Sequence, residues 1–143
     1  MSQENVALVR GLLGPFEQGD IIPLFRDEAF SASLEPFFTS DFECVFVRDD
    51  VGRAAYPGLD GLRTAWLDWL LPWDSYHAVI EDVIDAHVGR VLVLTRDHAR
   101  PKGGGIDADF MGAPIWTVRD GKVARIEFYW NRDEGLAAAG LAE

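Results

Sequence analysis

The chain has 143 residues, room for one core but not for two independently folded halves, so residues 1–143 are expected to form a single domain. Hydrophobic residues at 48% against 26% charged exclude a disordered regulator, a collagen-like repeat and a low-complexity linker. A net charge of -11 repels phosphate backbones and anionic membrane surfaces, which sets nucleic acid and membrane aside as partners and favours a small neutral or cationic ligand.

Val6, Val9, Leu12, Leu13 and Phe16 recur at helical spacing behind Ser2, an available N-cap, and predict an amphipathic helix over residues 3–18 ended by Gly19. Between residues 20 and 38 the apolar pattern is interrupted by Pro23 and Pro36, which predicts two short helical pieces. Residues 42–47 are rich in β-branched and aromatic side chains and read as a strand, closed by the turn signal Asp49-Asp50-Val51-Gly52 and followed by a short extended piece at 54–56. After Pro57-Gly58, Leu62, Trp66, Trp69, Leu70 and Trp73 fall on one helical face. Three tryptophans are more bulk than a helix needs on a flat sheet, so this helix should close over something deep and curved; plain core packing is the competing reading.

From Tyr76 the chain turns to strands, at 76–86, 90–101, 106–118 and 122–131. His87-Val88-Gly89, Gly103-Gly104-Gly105 and Asp120-Gly121 are short connections that favour sequential antiparallel hairpins. Strands this long tend to bend around a concave face, and Gly112 and Pro114 mark where such a bend or bulge would fall. A last helix is expected over 133–139, ended by Gly140.

The single cysteine, Cys44, cannot form an internal disulfide and is expected to be buried and inert, which fits a reducing, cytoplasmic setting. The N-terminus lacks a basic region leading into an apolar stretch, and no segment nears the roughly 18 apolar residues of a membrane span, so a soluble, unexported protein is expected. His77, His87 and His98 have no ligand-pair spacing, so no metal is expected. The triple glycine precedes a strand and lacks a following Lys-Ser or Lys-Thr; it reads as a hairpin tip, not a phosphate cradle.

The N-terminal helix, the Gly19-Asp20 entry to the next, the tract Tyr56-Pro57-Gly58-Leu59-Asp60-Gly61-Leu62 before the Trp-rich helix, and the closing Trp116-Thr117-Val118-Arg119-Asp120-Gly121-Lys122-Val123 together resemble a SnoaL-like domain of the nuclear-transport-factor-2-like superfamily. The resemblance runs from about Asn5 to Leu141. It implies an α+β cone, in which a curved antiparallel sheet wraps around N-terminal helices and leaves an internal pocket. It implies no single chemistry, since the superfamily holds polyketide cyclases, ketosteroid isomerases, limonene epoxide hydrolases, dehydratases and members without known activity. Two departures stand out. Residues 22–33 look longer than the usual connection, and Pro114 stands where many relatives carry a polar residue, often His, facing the cavity.

Alternation along the second long strand puts Leu94, Arg96, His98 and Arg100 on one face and Val93, Thr95, Asp97 and Ala99 on the other. Residues 91–94 are apolar on both faces, which predicts burial on both sides, by the chain's own helices on one; on the other the resemblance implies a second copy, a homodimer through the outer sheet face. The resemblance also places an Arg-x-Asp pair of the epoxide hydrolases at this point, where this chain has Arg96-Asp97-His98. His98 is expected to act as proton carrier and Arg96 as anion stabiliser beside Asp97, in a proton transfer next to a carbonyl. An exposed charged strand end is the competing reading.

On the last strand Ile126, Phe128 and Trp130 share the expected inner face, where cyclase-like and isomerase-like sites often hold an acid. Tyr56, Trp66, Trp69, Trp116, Phe128 and Trp130 are the expected ligand-binding set, suited to a small apolar or aromatic molecule. The expectation is thus a cofactor-independent isomerase or cyclase with no metal. The rival is a non-catalytic ligand-binding or dimerisation module of the same fold.

Overall fold

A computed structural model describes residues 2–48 and 52–141; the turn at 49–51 and the side chain of Ser2, with the cap expected of it, lie outside the described residues. The chain begins with α1 (Ser2–Leu13), which tightens into a 3-10 turn (Gly14–Glu17) where Pro15 has no N–H to continue the ladder. The two short pieces follow as α2 (Ile22–Arg26) and α3 (Glu28–Ser33). Asp27 separates them with extended backbone and caps α3, its carboxylate accepting the Ala29 N–H at 3.0 Å. A second 3-10 turn (Glu35–Phe37) leads into β1 (Phe38–Arg48), which pairs with β2 (Gly52–Pro57).

Helix α4 (Gly58–Leu70) stops short of Trp73. Pro72 has no N–H to give the Asp68 carbonyl, which takes the Leu71 N–H at 3.3 Å instead, and Trp73 opens β3 (Trp73–Asp85) rather than ending the helix. β4 (Arg90–Pro101) returns antiparallel to it. The strand expected over 106–118 is split into β5 (Ala108–Phe110) and β6 (Ile115–Arg119). Pro114 cannot donate, but the carbonyls of Gly112 and Pro114 accept from Thr95 and Val93 at 3.0 and 2.9 Å, so the gap still lies against β4. β7 (Lys122–Tyr129) and α5 (Arg132–Ala138) complete the chain.

The sheet order is β2-β1-β7-β6-β4-β3, with β5 paired to β4. All pairs are antiparallel except β1 and β7, a correction to the wholly antiparallel sheet expected. The hairpin signals describe neighbours in sequence, whereas β1 meets β7 only after the rest of the sheet has been laid down between them, a crossover no local turn encodes. Register shifts at Ile80/Asp82 and Thr117/Val118 mark bulges where the sheet bends around the helices.

The inner face packs Val9, Phe25, Phe42, Trp66, Tyr76, Val93 and Val123 into the main core. The outer face carries a smaller cluster of Leu92, Ala113, Ile115 and Tyr129 with Leu136 of α5 against it. A Cβ at Gly135 would collide with Ala113, so glycine there lets α5 seat on the sheet. Asn131 caps the start of α5 by accepting the Glu134 N–H at 3.1 Å, and Arg90 donates to the Ala138 carbonyl at its end at 2.8 Å. The two-sided burial of Val91, Leu92 and Val93 that predicted a second copy is thus supplied by this chain's own C-terminal helix.

Candidate functional site

Between α1, the short helices, α4 and the inner sheet face lies a cavity with a free volume of about 80 Å³, counted as space open to the centre of a water-sized sphere. Its walls are apolar and aromatic, with Phe16, Phe25, Trp66, Trp116, Phe128 and Trp130 among the lining residues. Local structure explains each wall. Arg63 of α4 donates to the carbonyls of Phe25 and Arg26 at 2.8 and 3.0 Å, which satisfies the end of α2 and holds Phe25 flat on Trp66, centroids 5.2 Å apart. The period-2 alternation of β7 turns Ile126, Phe128 and then Trp130 inward, as the sequence implied.

Of the six expected ligand-binding residues, Trp66, Trp116, Phe128 and Trp130 line the cavity. Trp69 stands behind the wall, stacked on Trp130 at 4.3 Å and 14°. Tyr56 packs edge-on against Phe46 at 6.1 Å, outside the lining. Pro114 does line the cavity, so an apolar ring stands at this position.

Asp97 is the only carboxylate among the described lining residues, and it is 3% exposed. Its Oδ2 accepts the Tyr76 hydroxyl at 2.6 Å, and the Tyr76 oxygen accepts the Trp69 indole N–H at 3.1 Å. Its Oδ1 has no hydrogen-bond partner. Burial pushes the carboxyl up to about 6, against the opposing hydrogen bonds from Tyr76 and, more weakly, from the Thr95 hydroxyl, which lines the cavity beside it. Burial likewise holds the Tyr76 phenol well above its ordinary value, so it stays a neutral donor. Tyr76 itself is clamped: its N–H donates to Asp20 Oδ1 at 3.1 Å and its carbonyl accepts the Ile21 N–H at 2.9 Å.

Arg96 and His98 stand on the opposite face of β4, which corrects the expectation that they line the hollow with Asp97. Arg96 is exposed and donates to Glu81 at 3.3 Å, and Glu81 also accepts from Arg132 at 2.7 Å. His98 is half exposed, with Nδ1 2.8 Å from Asp109 and Nε2 3.1 Å from Asp107. Only the doubly protonated imidazole can donate to both, and the Asp109 contact raises its pKa. The physical reason for the inversion is the phase of the strand. Arg96, His98 and Arg100 are long or charged in strict alternation, the pattern of a solvent face, whereas Thr95, Asp97 and Ala99 are compact and fit beneath the helices. Sequence reasoning missed Tyr76 and Asp20 altogether, since both act through partners distant in the chain.

Among the described residues no group of His, Cys, Asp or Glu is arranged to hold a metal ion. Cys44 is buried, and burial raises its thiol to about 12, which keeps it protonated and unreactive. No helix among the described residues is long and apolar enough to cross a membrane.

No protein-family model matches the chain, and no curated protein matches it. Solved structures do. A protein described as a SnoaL-like polyketide cyclase from a Jannaschia species is 16% identical, with 99% of this chain and 94% of that one covered and a TM-score of 0.69. TerC, co-crystallised with polyporic acid, is 17% identical over 96% of this chain and 97% of its own, at a TM-score of 0.68. A hypothetical protein from Catenulispora acidiphila, with a ketosteroid-isomerase-like fold and in complex with trimethylamine, is 17% identical over 78% and 82% of the two chains, at 0.56. The chain therefore has the α+β cone fold of the SnoaL-like, nuclear-transport-factor-2-like proteins.

Proposed function

We propose that the cavity binds a compact apolar or aromatic carbonyl compound and that Asp97 moves a proton at the carbon next to that carbonyl, without a cofactor. The observation that carries this reading is a buried carboxylate with one oxygen that makes no close hydrogen bond, in a cavity whose other lining residues are apolar or aromatic but for Thr95. A buried polar oxygen without a partner is costly, and such a group is retained where it serves a ligand. A pKa of about 6 suits the exchange, because both protonation states are populated near neutrality. The indole N–H groups of Trp116 and Trp130, two further lining residues, also lack partners. Roughly 10–15 Å³ of such volume holds one water, so the cavity takes on the order of five to eight waters' worth of ligand. That matches a single ring and not a fused polycycle unless the walls move.

The second reading is a binding module without chemistry, and the same aromatic walls favour it. Two structural neighbours carry small molecules, polyporic acid and trimethylamine, so ligands of either aromatic or cationic character belong in the screen. Native mass spectrometry of the purified protein, followed by that compound with Asp97→Asn, decides. Catalysis predicts turnover that rises through pH 6 and vanishes in the variant. Retained binding with no turnover in either protein supports the module. Pairing of two copies across the outer face belongs to the same proposal, and sedimentation at micromolar concentration tests it: a monomer removes it.

A further inference from the structure

We propose that Trp69 and Tyr76 are positioning residues that deliver a directed chain of hydrogen bonds to Asp97, committing Oδ2 as an acceptor and leaving Oδ1 as the oxygen that exchanges a proton with the cavity's occupant. This rests on the proton-carrier reading of Asp97. An indole N–H can only donate, so the Trp69 contact at 3.1 Å occupies a lone pair of the Tyr76 oxygen and leaves its single proton for Asp97 at 2.6 Å. The chain has one direction. Residues 20 and 21 hold the Tyr76 backbone on both its N–H and its carbonyl, and complete burial packs the ring in place. When Asp97 takes a proton it therefore takes it on Oδ1, the oxygen without a partner.

Trp69 does not line the cavity, but it stacks on Trp130, which does, so the first donor of the chain is fixed by the wall the occupant touches. Besides Tyr76, the Thr95 hydroxyl, which does not titrate, also favours the ionised carboxylate. Tyr76 is the titratable group that faces it from β3; opposite it β5 presents Phe110 and α4 presents Trp69, neither of which ionises. No described Lys, Arg or His shares the cavity lining with it.

The test is a carbon-13 carboxyl titration of Asp97 in the full chain. The wild type should titrate near 6. Tyr76→Phe removes the donor to the ionised form and should raise the midpoint by about one unit. Trp69→Phe frees the hydroxyl to rotate and should raise it by less. An unmoved midpoint in a folded Tyr76→Phe protein overturns the inference and leaves the proton-carrier reading standing. A wild-type midpoint at the ordinary carboxylate value overturns both. Should Tyr76→Phe fail to fold, 3-fluorotyrosine at Tyr76 keeps the shape and donates more strongly, so the midpoint should fall; no change there also overturns it.

Discussion

Asp97 and His98 are neighbours in the chain, and both titrate above their ordinary values, yet for opposite reasons. Asp97 faces inward, where burial disfavours its charge; His98 faces outward, where two carboxylates favour its charge. One is a polar group under desolvation stress with an oxygen to spare, and the other is a satisfied ion on the surface. A raised pKa alone does not mark a site. Burial together with an unfilled hydrogen-bonding position separates the two, and the half-turn of a strand between adjacent residues decides which of them receives it.

The largest expected difference is catalytic. For a proton-transfer turnover found with the cavity's ligand, Asp97→Asn should lower kcat by roughly 10²–10⁴-fold, the range for loss of a positioned acid or base. His98→Ala should stay within about two-fold, as a surface change does. Equal losses in steady-state assays of the two variants would overturn the assignment of roles to the two faces.

The next difference is in stability. Asp97 rises from its ordinary 3.8 to about 6 on folding, so between these values the native state binds more protons than the unfolded chain. The Asp97 contribution to stability is therefore greatest below pH 4, falls as pH rises towards 6 and is level above it, by about 3 kcal/mol in all. Asp97→Asn keeps an acceptor for Tyr76 and removes the charge, so urea titrations across pH 4 to 7 should show this slope flattened and the variant the more stable protein near neutrality. A difference between wild type and variant that does not change over that interval would contradict the burial argument.

What the sequence could show divides along the same strand. The helices, the hairpins and the inward set of β7 follow from local periodicity and turn chemistry, which is why Phe128 and Trp130 fall where expected. The parallel contact of β1 with β7 depends on the whole chain, and so does the Tyr76–Asp97 pair, joined across β3 and β4. The facing of β4 was legible from Arg96, His98 and Arg100 in alternation, but Val91, Leu92, Val93 and Leu94 before them are apolar on both sides and carry no phase. Local apolarity hid it, because α5 covers the outer side and erases the contrast between faces that usually fixes the register.

The smallest expected effect concerns the outer face. His98 ties β4 to Asp107, just before β5, and to Asp109 within it, where the chain returns from Gly103-Gly104-Gly105. The imidazole's pKa is raised in the folded state, so this tie is complete below the ordinary histidine value and is lost as pH rises through the folded one. Arg100 lies 3.9 Å from Asp107, and His77 sits opposite His98 on β3. Phe110, at the other end of β5, packs on Trp69, Trp73 and Trp130. Loss of the tie should therefore loosen the 102–109 segment while those ring contacts hold Phe110 in place. Hydrogen exchange, corrected for its intrinsic pH dependence, should show faster opening at 102–109 above the histidine transition and unchanged opening at Thr95 and Asp97. Asp109→Asn should move that transition to lower pH, because it removes the larger of the two stabilising contacts.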